Sequence, residues 1–334
     1  MAPLSHWIDT LGLAGPWTYV GLFLVASLLM MWRLEAMLDQ GLEGTALGTI
    51  VMPYCSGLGN LIFVYLVLAR HDAVREVLTN CLVNNVTNLT LLLGLPAMFW
   101  GLAVIPPRKG GGGKKRGGAD TANQINRLSL LLTLTAVIFF TGAVWVLGQD
   151  GRLDRADGLM LIGLFVFWQC FQVFDVLKHN ARQRKSFGPL FYLDAVVVLA
   201  SAYALYGSID WLVTWLGHQH GGFINAGHLG WLSGWLMVLP NALLAFYWGW
   251  KRRADIVYSS QVGDGHICLP LALGLCAAFH PVAVPAFVET SLLLLLGAAG
   301  CHILFLLAGG GLPRWAGWLF VAAYGWFLYD GLLR

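Results

Sequence analysis

Ten apolar runs, each close to the length of one bilayer crossing, dominate the chain and limit what it can fold into. They lie near 16–32, 46–69, 77–105, 128–148, 157–178, 189–216, 229–250, 256–279, 285–308 and 313–332. A hydrocarbon core about 30 Å thick needs roughly 20 apolar residues per helix. Inside it, only helices and closed barrels satisfy their own backbone polar groups. Runs of this length specify helices, so the expected fold is an all-α integral membrane protein of about ten transmembrane helices. Composition agrees, because 58% of the 334 residues are hydrophobic and 11% are charged, against about 25% charged in a soluble domain. Fifteen Trp residues suit rings that collect at the two membrane interfaces. The sixth run is long for one crossing, and the third ends at Pro106-Pro107, which predicts tilt or extra-membrane turns there.

The few charges orient the chain. Taking the loops alternately, 15 basic residues fall on one side and 5 on the other. Basic loops stay cytoplasmic, so an even number of spans with both termini outside is expected, in a bacterial inner (plasma) membrane. The first basic residue, Arg33, follows the first run, so no charged leader precedes it and that span is expected to stay in the mature protein. A net charge of +3, confined to a few loops, argues against nucleic acid as a partner. The glycine-rich basic stretch from Arg108 to Asp120 reads as a flexible cytoplasmic linker touching anionic lipid. It lacks the preceding strand and the Ser or Thr after Lys that a phosphate-cradling loop needs. Six scattered cysteines are expected to be free, small, buried side chains. No cofactor is expected, and the oligomeric state is not encoded.

Five spans fall in 1–182 and five in 183–334. An odd number per half forces opposite orientation, and inverted repeats place a substrate site near the midplane where the repeats meet. Polar residues inside the spans fall at matching places. Asn80, Asn84 and Asn88 in the third span, and Ser260, Asp264 and Cys268 in the eighth, each follow i, i+4, i+8 spacing and line one helix face. Asn60 lies 24 positions ahead of Asn84, and Asn241 lies 23 ahead of Asp264.

These segments resemble the sodium/calcium exchanger superfamily, whose two α-repeats read roughly GTSLPE, then GNxxGSNxxN and LGL. The first copy, within 46–105, runs Cys55-Ser-Gly-Leu-Gly-Asn60, then Thr79 to Asn88, then Leu93-Gly-Leu95. The second, within 229–279, runs Leu239-Pro-Asn241, then Ser259 to Cys268, then Leu273-Gly-Leu275. The resemblance implies a secondary-active cation antiporter whose ion site is drawn from Ser56, Asn60, Asn84, Asn88, Asn241, Asp264, His266 and Cys268. The chain reads as a divergent member. Asn60 and Asn241 stand where active relatives place Glu, Cys268 stands where Asp is common, and Met237 and Val238 replace small hydroxyl residues. One acid is gained at Asp264, where Ser is usual.

Calcium takes six to eight oxygens, several of them carboxylate, and a buried charge needs balance. One carboxylate among amides suits a single positive charge, so the expected ligand is a monovalent cation or a proton at Asp264, assisted by His266, with calcium bound weakly if at all. The alternative is a transport-inactive scaffold or accessory subunit whose polar residues only bond helices together. No nucleophile and base pair, and no paired acids, point to an enzyme. Glu289 and Asp194 are expected to snorkel or pair with another helix. His218, His220 and His228 form a weak metal pattern, and the sequons at Asn85 and Asn88 lie inside a span.

Overall fold

The computed structural model describes residues 15–37, 40, 54–55, 57–70, 74–105, 117–180, 188–219, 221–263 and 265–333, with only the backbone of 117–123 and 175–180. Two residues assigned to the site, Ser56 and Asp264, lie outside the described residues, as do His220 and the basic loops at 106–116 and 181–187.

Among the described residues, ten helices carry the fold: α1 Gly15–Met37, α2 Leu58–Arg70, α3 Arg75–Trp100, α4 Gly117–Leu147, α5 Arg155–Asn180, α6 Pro189–Gly217, α7 Leu229–Trp250, α8 Ala254–Phe279 described on either side of Asp264, α9 Phe287–Gly309 and α10 Arg314–Leu328. Most described boundaries follow the apolar runs closely; α4 starts at Gly117 rather than 128, and the described α2 starts at Leu58 rather than 46. Among the described residues, eight helices are long and apolar enough to cross a membrane; α2 is shorter there, and α10 continues into a π turn, Tyr329–Leu333. Large apolar side chains such as Phe167 and Leu199 stand exposed on the outer helices, which water would not tolerate over so wide a surface.

Helices α3 and α8 form the centre: 78% and 76% of their most apolar stretches are buried, against 22% for α5 and 28% for α6. Each is interrupted by a π turn, Thr87–Leu91 in α3 and Cys268–Ala272 in α8. The local causes differ. Thr90 Oγ1 donates to the Val86 carbonyl in α3, competing with the helix ladder, whereas Pro270 in α8 has no N–H to offer it.

Around this centre, contacts come in pairs. Gly94 of α3 meets Gly317 of α10, and Gly274 of α8 meets Gly158 of α5. A Cβ on Gly317 would lie 2.7 Å from the Met98 nitrogen, and one on Gly158 would run into the Ala278 nitrogen. Small residues of this kind let membrane helices approach backbone to backbone. Two short strand pairs repeat the pattern: β1 Leu102–Ala103 with β4 Gly311–Leu312, and β2 Arg152–Leu153 with β3 Val282–Ala283, both antiparallel. Gly151 and Gly310, with φ of 85° and 71°, turn the chain after α4 and α9 in the left-handed region open to glycine. Their carbonyls accept from Val284 and Val104, both at 2.9 Å. The offsets are constant: 180 positions separate Leu102 from Val282 and Gly94 from Gly274, and 159 separate Gly151 from Gly310 and Gly158 from Gly317.

The outer helices α1 and α6 pack along each other. Tyr19 stacks on Trp211 with ring centroids 4.1 Å apart, and Asp194 accepts from Arg33 at 3.3 Å and Gln40 at 2.7 Å. Asp194 therefore pairs with another helix, as expected. Glu289 is exposed in the first turn of α9. None of the six cysteines forms a disulfide, and Cys81, Cys268 and Cys276 are buried, but Cys55 is half-buried and Cys170 and Cys301 are exposed. The last two sit on the outer faces of α5 and α9, where a small apolar side chain meets lipid at no cost.

Candidate functional site

Asn60 lies in the first turn of α2, and Asn241 follows Pro240 in the middle of α7. Both are buried, at 2% and 8% exposure, and both line one cavity of about 30 Å³ together with Phe23, Ser27, Met30, Met31, Cys55, Gly59, Leu205, Met237 and Pro240. The two positions assigned as counterparts thus meet in one central space. The Asn60 Oδ1 has no hydrogen-bond partner among the described residues. Leaving a buried amide oxygen unpaired costs about 1–3 kcal/mol, so an acceptor facing a cavity is poised for a cation or a donor. The described lining contains no carboxylate.

Helix α3 holds the other amides. Asn88 Nδ2 donates to Asn84 Oδ1 at 3.0 Å, one turn apart on the face the spacing indicated. Asn80 Nδ2 donates to Ser233 of α7 at 2.9 Å, and the α3–α7 seam closes tightly because Gly230 and Gly234 lie against Thr79 and Val83. Asn84 and Asn88 are fully buried but do not line the Asn60–Asn241 cavity. Asn85, at 2% exposure, has neither side-chain atom paired among the described residues and faces Gly265 of α8. The sequons at Asn85 and Asn88 are accordingly out of reach of any glycosylating enzyme.

On the α8 side, the Cys268 carbonyl accepts from Cys81 Sγ of α3 at 3.2 Å, at the π turn. His266 turns to α4 and α5: its Nε2 lies 3.0 Å from the Thr133 carbonyl, and its ring meets Phe140 and Trp168 edge-on. It does not line the Asn60–Asn241 cavity. Gln261 Nε2 donates to the Asn241 carbonyl at 3.3 Å, tying α8 to α7.

Sequence reasoning missed three features. Met30, Met31 and Ser27 bring α1 to the cavity, but within an apolar run methionine gives no signal. Glu76 is buried at the start of α3, accepting from the Gly230 N–H at 3.0 Å and from Arg75 at 3.0 Å; its place at a span edge hid it. His302 of α9 bridges the Tyr258 hydroxyl at 3.1 Å and the Leu89 carbonyl in the α3 π turn at 2.8 Å. The two bonds fix the neutral ring with its proton on Nε2 if Tyr258 donates to Nδ1. Among the described residues, no group of three or more His, Cys, Asp or Glu side chains is arranged to hold a metal ion.

Comparison with known proteins fits this geometry. A model of the sodium/calcium exchanger protein family matches residues 15–174. No curated protein matches the chain by sequence. Among solved structures, the sodium-calcium exchanger NCX_Mj soaked with 10 mM Na⁺ and zero Ca²⁺ superposes with a TM-score of 0.64 at 18% identity, over 96% of this chain and 99% of that one. The same exchanger soaked with 2.5 mM Na⁺ and 10 mM Sr²⁺ gives 0.63 at 18% identity, over 96% and 99%. At this identity the likeness speaks for the fold. The chain is thus similar to the sodium/calcium exchanger family in sequence over residues 15–174 and shares the fold of a sodium-calcium exchanger over nearly its whole length.

Proposed function

We propose that the chain is a secondary-active cation antiporter that carries a monovalent cation or a proton rather than calcium. The observation behind this reading is the cavity shared by Asn60 and Asn241, with an unpartnered amide oxygen and no carboxylate among its described lining residues. A divalent ion there would keep most of its charge unbalanced in a low-dielectric setting, whereas a monovalent ion needs one acid, which Asp264 supplies in this reading. Ser56, Asn84, Asn88, His266 and Cys268 complete the assigned set as ligands or as supports around it.

The halves 1–182 and 183–334 act as inverted repeats that rock about this site. The paired glycine contacts and strand pairs support that reading, since each joins one half to the other and has a counterpart in which the two halves exchange roles, at offsets of 180 and 159 positions. Both termini lie outside, on the strength of the 15 to 5 distribution of basic residues. One observation favours the scaffold reading instead: amides replace acids at both matched positions, which a protein without transport would tolerate. Proteoliposomes holding the purified chain decide between them. Uptake of labelled Na⁺ or K⁺, or proton movement, driven by an opposing cation gradient is the expected result. A folded, monodisperse protein with no flux under any such gradient would leave the scaffold.

A further inference from the structure

The cavity that holds Asn60 and Asn241 is unusual in its sulfur content. Met30 and Met31 enter from α1, Cys55 from the segment before α2, and Met237 from α7. Four sulfur side chains from three parts of the chain thus surround one small space. The Met237 sulfur lies against Gly59: a Cβ built there would sit 2.5 Å from it. Because Gly59 has no side chain, this sulfur reaches the α2 backbone beside Asn60, whose Oδ1 has no described partner.

Resting on the monovalent-cation reading, we propose that this site takes a soft monovalent cation of the Cu⁺ and Ag⁺ class, held by the Met30, Met31 and Met237 thioethers, the Cys55 sulfur and the Asn60 amide oxygen. Neutral thioethers and a thiol select soft metal ions over hard ones, which want carboxylate or water oxygen. Charge balances without an acid in the lining, because the Cys55 thiol gives its proton to solvent as its sulfur binds the metal. The +1 ion and the thiolate then make a neutral pair inside the membrane. No electron is transferred. Size agrees as well, since a cavity of about 30 Å³ exceeds the roughly 10–15 Å³ that admits one water. It has room for one desolvated ion of that class.

Silver is the practical probe, being soft, monovalent and stable to redox change. Exposed Cys170 and Cys301 would bind it independently, so the full chain carrying Cys170→Ser and Cys301→Ser, in chloride-free nitrate buffer, is the starting protein. The expected result is one Ag⁺ retained per chain, with a concentration-dependent rise in Tm. Met30→Leu with Met237→Leu, which conserves volume, should weaken retention about tenfold or more while the metal-free Tm changes little. Cys55→Ser should do the same and should abolish the proton release on binding. No retained Ag⁺, or retention unchanged by the Leu pair, overturns the proposal and reduces these sulfurs to packing. Na⁺, K⁺ and pH titrations of the same protein separate the two readings. A response to those without Ag⁺ retention overturns the soft-metal site alone; no response to any of them overturns the monovalent reading as well.

Discussion

Helices α3 and α8 occupy equivalent places and make equivalent backbone contacts, yet their polar side chains differ. Each has a π turn, a glycine against a second glycine on a partner helix, and a two-residue strand after its end. But α3 carries a ladder of buried amides at Asn80, Asn84, Asn85 and Asn88, while the aligned stretch of α8 reads Ser260, Asp264, Gly265 and Cys268. The difference teaches which constraints hold the fold. Contacts between backbones admit only glycine, because a Cβ has nowhere to go. A polar side chain lining a cavity has room to change as long as its charge and hydrogen bonds are met.

The largest expected effect tests the shared part. Gly158→Val and Gly317→Val should each cost about 3 kcal/mol, the upper end of overpacking, because both drive a side chain into a facing backbone. Gly297→Ala, with nothing near its Cβ, should be nearly neutral. Thermal unfolding in detergent checks all three, and tolerance at one glycine but not the other would break the equivalence of the halves.

A smaller effect tests where the halves part. Glu76 at the start of α3 is buried and accepts the first-turn Gly230 N–H of α7. Asp255 at the start of α8 pairs instead with Arg253 at 3.0 Å and is partly open to solvent. Glu76→Ala should therefore cost about 1–3 kcal/mol for the orphaned donor, and Asp255→Ala no more than about 1 kcal/mol, as for surface ion pairs. Equal losses in unfolding experiments would mean that Glu76 contributes only as a surface charge.

The smallest effect lies at matched helix starts. Asp154 caps α5 by accepting from the Ala156 N–H at 2.7 Å and the Asp157 N–H at 3.1 Å, whereas Pro313 opens α10 without a side-chain cap. The Asp157 and Ala156 N–H groups hold the Asp154 carboxyl below the ordinary range. A depressed folded-state value gives stability that is present above the unfolded value and lost as pH falls through the folded one. Asp154→Asn keeps a capping oxygen but removes the titration, so it should flatten slightly the acid limb of Tm against pH. An unchanged acid limb would show that the cap does not couple to folding.

Much of the fold was legible because period and length carry it. The apolar runs placed most helices to within a few residues, but α4 begins at Gly117 rather than 128 because its first turns are polar, and Asn60 and Asn241 were matched by their spacing to Asn84 and Asp264 before they met at one cavity. The π turns were not legible, since one extra residue in a helical turn leaves no mark on an apolar pattern. The two-residue strands were equally silent. His266 was assigned beside Asp264 from nearness in sequence, but positions two apart on a helix of about 3.6 residues per turn point about 200° apart, and its ring lies among Phe140, Trp168 and the Thr133 carbonyl. Met30 and Met31 escaped notice because a thioether in an apolar run reads as filling until the cavity beside it is seen.

The proposed site takes a monovalent rather than a divalent cation. This is tested most directly by the Tm of the purified protein titrated with Ca²⁺, with Na⁺ and with pH, in wild type, Asp264→Asn and Glu289→Gln. A ligand that binds only the folded state raises Tm with its concentration. The account predicts little or no shift with Ca²⁺, and a shift with Na⁺ or pH that Asp264→Asn removes and Glu289→Gln retains. Tight Ca²⁺ stabilisation of the wild type, unchanged by Asp264→Asn, would contradict it.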